Sequence, residues 1–183
     1  MWVADITCHF DTLDYNCYLD KIYRLLEIEG NKLGGNGFIV RDSDIFSNNK
    51  FVSVSIYKIR NFGNWKKKNY FDFPNNKAYM IGDLFYQNPN YALNIRINGS
   101  PIKLARFSYI ELDIPKGSDL NVKVSFKRKE SSFVIDHSSD EVKDKDMILY
   151  FEIGPYINKA YRPHYLEMAY GQFLLHILKE ETL

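Results

Sequence analysis

The feature that most constrains this chain is the period-two alternation running through residues 91–126, YALNIRINGSPIKLARFSYIELDIPKGSDLNVKVSF. Tyr91, Leu93, Ile95 and Ile97 alternate with Ala92, Asn94 and Arg96 before the pair Asn98-Gly99. Ile110, Leu112 and Ile114 alternate with Glu111 and Asp113, and Pro115-Lys116-Gly117-Ser118 follows as a turn. Leu120, Val122, Val124 and Phe126 then alternate with Asn121, Lys123 and Ser125. Side chains leave a strand on alternate faces, so this pattern describes strands with one buried face. Asn-Gly is the pair favoured in a two-residue hairpin loop, whose central residues both need positive φ.

Further strands are expected on each side of this run. Val52, Val54 and Ile56 alternate with Ser53 and Ser55 within residues 51–60, and residues 78–86 and 147–153 are apolar and strand-like. Gly82 inside the second of these predicts a bulge or a close backbone approach. A short strand is expected at Phe38-Ile39-Val40 and another at residues 133–135. Residues 164–178 permit either a helix or two strands, and strands are favoured because they would complete a sheet edge. With 14 Tyr and 13 Phe, the chain is rich in residues that suit a pleated core.

One helix is expected at residues 14–29. Tyr18, Ile22, Leu25 and Leu26 are spaced three and four apart, Asp14 can serve as N-cap, and Gly30-Asn31 as a stop. The expected architecture is mainly β: an antiparallel β-sandwich or partly open barrel with one N-terminal α-helix. Residues 1–45 form a helical segment packed on the sheet, residues 46–183 the sandwich domain, and the polar run 41–50 the loop between them.

Charge excludes some partners. Twenty-four basic and 23 acidic side chains nearly cancel, so no whole-molecule field attracts nucleic acid. No run approaches the roughly 20 apolar residues that span a bilayer. The opening MWVADITCHFD has neither a basic n-region nor a long apolar stretch. The expected setting is therefore the cytoplasm, or the periplasm or envelope if a leader was removed.

Residues 32–37, KLGGNG, are glycine-rich, but no Gly-Lys-Ser/Thr is present and a strand rather than a helix follows, so they read as a connector. Cys8 and Cys17 could close a small disulfide loop or remain two buried thiols. A zinc site built on Cys8, His9 and Cys17 lacks paired-ligand spacing. No cofactor is expected.

Two segments carry residues suited to a site. Trp65, Lys66, Lys67, Lys68, Tyr70 and Phe71 interleave aromatics with lysines, a composition that can stack sugars or bases. Asp136, His137 and Asp140 lie in the charged run 127–146 and include the residue types of a metal or acid–base site. Adjacency in sequence does not bring them around one centre, and a solvated loop is the simpler reading. His164 and His176 read as structural.

The central run resembles PEGA-like domains and a related family of uncharacterised bacterial envelope lipoproteins. There a strand ends in a V-x-V-D-G-type turn, a strand runs into P-P-G, and another strand follows. Here the corresponding elements are Leu93-Asn94-Ile95-Arg96-Ile97-Asn98-Gly99, residues 109–114, Pro115-Lys116-Gly117 and residues 120–124. Asn98 replaces the usual Asp, and Cys8 follows Asp5-Ile6-Thr7, which is not a convincing lipobox. The resemblance covers roughly residues 50–182. It implies a small, non-enzymatic sandwich module of the bacterial envelope and brings no catalytic residues.

The resulting functional expectation is a non-catalytic envelope or periplasmic binding module, acting through loops and a sheet edge on a protein partner or a glycan. The alternative is an immunity protein that neutralises a toxic effector by binding it. A hydrolase using a His/Asp site ranks behind both, and nucleic acid is not expected as a partner.

Overall fold

The computed structural model describes residues 1–10, 18–47, 49–60, 77–82, 92–113, 119–126, 129–135, 149–154, 162–166 and 168–180. The fold is mainly β, with three sheets, two helices and no closed barrel among the described residues. The chain divides into two compact units. The first comprises residues 1–70 with 172–177, the second 71–171 with 178–183.

The first unit begins with β1 (Trp2–Phe10), α1 (Tyr18–Lys32), β2 (Gly37–Asp44) and β3 (Lys50–Tyr57). The strands form an antiparallel sheet in the order β1-β3-β2. β1 and β2 therefore run parallel with β3 inserted between them. Val52, Val54 and Ile56 of β3 are buried, as are Leu19, Ile22 and Leu26 of α1. The helical residues fall at three-and-four spacing and the strand residues at every second position, as one covered face of each requires.

α1 ends in a Schellman motif: Gly34 N–H donates to the Asn31 carbonyl and Gly35 N–H to the Gly30 carbonyl, both at 2.9 Å. Gly34 has φ 81°, the left-handed conformation that this cap needs. Residues 32–37 are thus a helix cap and connector, and the helix runs on to Lys32, past the stop that Gly30-Asn31 suggests. Its expected N-cap, Asp14, lies outside the described residues.

Two expectations fail here. Residues 41–50 are not a loop: β2 continues through Asp44, and only a short turn separates it from β3. Asp44 Oδ1 accepts the Ser47 and Phe46 N–H groups at 2.9 and 3.0 Å, which closes that turn and holds the Asp44 carboxyl below its ordinary range. Polarity at 41–44 reflects an exposed strand rather than absent structure. Residues 51–57, expected to flank the central run, instead pair with β1 and β2.

The second unit contains β4 (Lys77–Ile81), β5 (Ala92–Ile97), β6 (Ser100–Ala105), β7 (Ser108–Asp113), β8 (Leu120–Phe126), β9 (Lys129–Ile135), β10 (Leu149–Gly154), β11 (Arg162–Tyr165) and β12 (Lys179–Glu180). One sheet has the order β11-β10-β4-β7-β12, the other β6-β5-β8-β9. The second is antiparallel throughout; in the first, β4–β10 and β7–β12 are parallel, so the sheet is mixed. Ala78, Met80, Ile110 and Leu112 from one sheet share a core with Leu93, Ile95, Leu104, Val122, Val124 and Ile135 from the other. This is the sandwich arrangement expected from the alternation, and burial of each larger side chain contributes about 1.5–3 kcal/mol.

The hairpin at Asn98-Gly99 is as expected, with φ of 48° and 90°. Gly82 also meets its expectation. It lies against the backbone of Ala105, and its N–H donates to the Ser108 carbonyl at 2.9 Å.

A second helix, α2 (Met168–Ile177), stands where strands were favoured. Phe173, Leu174 and Ile177 are buried, and residues 172–177 belong to the first unit. The Phe173 ring lies 5.4 Å from Tyr23 of α1 and 6.2 Å from Phe38 of β2, and those two rings are 5.7 Å apart. These tilted and edge-on arrangements are the favourable ones for aromatic rings.

Candidate functional site

Among the described residues, the face of the first sheet opposite Val52, Val54 and Ile56 carries the most organised cluster of polar and aromatic side chains. Register sets Asp5, Ser55 and Ile39 across the three strands, with Thr7, Ser53 and Asp42 in the next row, and His9, Phe51 and Asp44 in the third. A bulge between Val40 and Asp42 leaves Arg41 without a cross-strand partner and turns it over the sheet. Arg41 Nε donates to Ser55 Oγ at 2.8 Å, and Nη2 donates to the Tyr57 hydroxyl at 2.6 Å. Ser55 passes the polarity on, donating from Oγ to Asp5 Oδ1 at 2.5 Å, and the Trp2 indole N–H donates to the same oxygen at 3.1 Å. Thr7 and Ser53 share a hydroxyl–hydroxyl bond of 3.0 Å, and the His9 and Phe51 rings lie 6.0 Å apart.

This network sets the electrostatics of the face. The Ser55 hydroxyl, then the Trp2 indole and more weakly Arg41, hold the Asp5 carboxyl below its ordinary range against a small desolvation effect. Asp5 is therefore an anion at neutral pH, already committed to two donors. Arg41 spends two of its five N–H donors within the sheet, and it is exposed. Trp2 and Ile39 present 56% and 49% of their surfaces to solvent at the margins. The result is a rigidly tied polar row bordered by exposed apolar groups.

A smaller cluster lies on the second unit. The Tyr79 and Tyr109 rings are 6.1 Å apart, the Tyr109 hydroxyl donates to Glu180 at 3.3 Å, and the Lys77 ammonium pairs with Glu111. Burial first, and then the Glu180 charge, push both phenols above their ordinary range, so they remain protonated donors.

Trp65, Lys66, Lys67, Lys68, Tyr70, Phe71, Asp136, His137 and Asp140 lie outside the described residues. So does Cys17. Cys8 is a free thiol on β1, half-buried, and burial followed by the Glu29 charge pushes it above its ordinary range. His176 is exposed on α2, and His164 lies on β11 in register with Glu152. Among the described residues no three His, Cys, Asp or Glu side chains are placed to hold a metal ion. No helix among them is long and apolar enough to cross a membrane.

The open face is hard to see in the sequence because residues 41–44 suggest a loop and residues 1–10 fall in a segment expected to be helical. A signal was present: in β1, Asp5, Thr7 and His9 alternate with Ala4, Ile6, Cys8 and Phe10. The Arg41 contribution depends on a bulge, for which the residues offer no comparable sign.

Comparison with known proteins returns no matching family model, no matching curated protein and no matching solved structure.

Proposed function

We propose that this chain is a non-catalytic binding module that engages a protein partner through the open face of the β1-β3-β2 sheet. The observation that supports this reading is the Trp2–Asp5–Ser55–Arg41–Tyr57 network, which orients side chains without leaving a free nucleophile beside a free base. Preorganised side chains lose little entropy on binding, and Trp, Tyr and Arg are the types that dominate protein interfaces. Exposed Trp2 and Ile39 supply apolar contact, and the unspent Arg41 donors supply direction. The bacterial envelope setting rests on the resemblance of roughly residues 50–182 to envelope lipoprotein domains. A toxic enzyme inhibited by direct binding is one form that the partner would take.

The test is affinity capture from cells of the source organism, comparing the native chain with a Trp2→Ala/Arg41→Ala variant of matched thermal stability. A single partner retained by the native chain, and depleted at least about 10-fold on the variant, is expected when two interface anchors are removed. Equal retention by both would overturn the assignment of this face. Turnover in a hydrolase panel, abolished by one substitution, would overturn the non-catalytic reading.

A further inference from the structure

β1 ends the order β1-β3-β2, so its outer edge has no strand partner among the described residues. Natural edge strands normally carry something that discourages pairing: proline, lysine, a bulge, or very short length. The other described edges have such features. β6 contains Pro101 and Lys103, β9 begins Lys129-Glu130, β2 is bulged at Arg41 and carries Asp42 and Asp44, β11 contains Pro163, and β12 has two residues. β1 is bulged at Val3 and carries Asp5, but from Ala4 to Phe10 it has no proline, lysine or bulge, and its register with β3 is regular over that run. The inward side chains of β1 are also incompletely covered. Ile6, Cys8 and Phe10 are only half-buried, although Val54 and Val52, opposite Ile6 and Cys8, are fully buried.

We infer that β1 pairs antiparallel with β1 of a second copy of this chain, about a two-fold axis at Thr7, to make a continuous six-stranded sheet. Thr7 is the midpoint of the regular run Ala4 to Phe10, so this axis pairs the whole run with itself. Such a pairing keeps side-chain faces matched. Ile6 meets the second copy's Cys8, and Ala4 meets its Phe10, closing the uncovered apolar margin. On the other face Asp5 stands opposite the second copy's His9, twice, so the acid meets the imidazole and no like charges are directly opposed. A copy of the same strand thus satisfies the backbone edge, the apolar margin and the charge pattern together. The pairing depends on the edge of β1 and not on what binds the open face.

The test uses the full chain with Cys8→Ser and Cys17→Ser, into which Thr7→Cys is introduced. Directly opposed residues have Cβ atoms about 4.5–5.5 Å apart, within reach of a disulfide after small adjustment. Mild oxidation is expected to give a covalent dimer, while Asn31→Cys in the same background remains monomeric. Light scattering of the native chain at about 100 μM should show a dimer, because edge pairing is favoured by mass action. Ile6→Lys, which places a charge at the apolar margin, should weaken dimerisation at least 10-fold with its circular dichroism unchanged. A monomer by light scattering, or a dimer that Thr7→Cys fails to capture and Ile6→Lys fails to weaken, would overturn the pairing.

Discussion

Replacing Gly82 by alanine tests a close backbone approach in the second unit. A Cβ built there lies 2.0 Å from the Ala105 carbonyl oxygen, 3.1 Å from its carbon and 3.3 Å from Leu104 Cγ. An ordinary carbon–oxygen contact needs about 3.3 Å, so the backbones must separate by roughly 1.3 Å. The obstacle is main chain rather than the tip of a side chain, and Leu104 behind it is fully buried. Overpacking of this kind costs about 1–3 kcal/mol. Movement also strains the 2.9 Å Gly82–Ser108 hydrogen bond, with a net value of about 1 kcal/mol. The lost flexibility of the unfolded glycine offsets about 0.4–1 kcal/mol. The net destabilisation is about 1–3.5 kcal/mol, which for a chain of 183 residues lowers Tm by roughly 2–14 °C. Gly99→Ala is the control. Nothing lies within 4 Å of its Cβ, and only the φ of 90° is strained, at about 1–2 kcal/mol. Calorimetry should therefore rank Gly82→Ala as the more damaging of the two. A Gly82→Ala Tm within 1 °C of the native chain would refute the close approach.

Three further outcomes follow from individual groups. Ser131 is buried with its Oγ lacking a hydrogen-bond partner among the described residues, so Ser131→Ala should stabilise the chain by about 1 kcal/mol in urea denaturation. The Asp5 carboxyl titrates below its ordinary range, so its stabilising contribution is present above the unfolded-state pKa and is lost as pH falls through the folded value. Carboxyl-carbon NMR should show this depression, with Ser55→Ala moving the titration upward. Cys8 has the opposite sign: its raised folded pKa favours the neutral thiol, and the related stability is lost as pH rises through that value. Iodoacetamide should accordingly modify Cys8 more slowly in the folded chain than in urea at the same pH.

Strands of the sandwich were legible wherever one face meets the core and the other meets water. β5, β7 and β8 show that alternation directly, and Asn98-Gly99 announces its turn. α2 was not legible as a helix because Phe173, Leu174, Leu175, Ile177 and Leu178 are nearly continuous, and a covered helix of ten residues has no periodicity to separate it from a buried strand. The pairing of β3 was hidden for another reason. Alternation at residues 51–57 says that one face is buried but not which sheet buries it. Polar residues at 41–44 suggest a loop because an edge strand with one solvated face resembles a loop in composition. Within the open face, Asp5, Thr7 and His9 carried a readable signal, whereas Arg41 reaches Ser55 only through the bulge.

The β1-β3-β2 order also has a consequence during synthesis. When β1 leaves the ribosome, the strand that will hydrogen-bond to it lies some 50 residues further along, so β1 waits without a partner while α1 and β2 emerge. The β2–β3 hairpin closes across a short turn and can form first. Its aromatic packing stays incomplete longer still, because Phe173, a further ring beside Tyr23 and Phe38, is made well after β3 has emerged. A nascent chain halted before residue 173 would hold all three strands of this sheet yet lack the ring that completes its aromatic cluster.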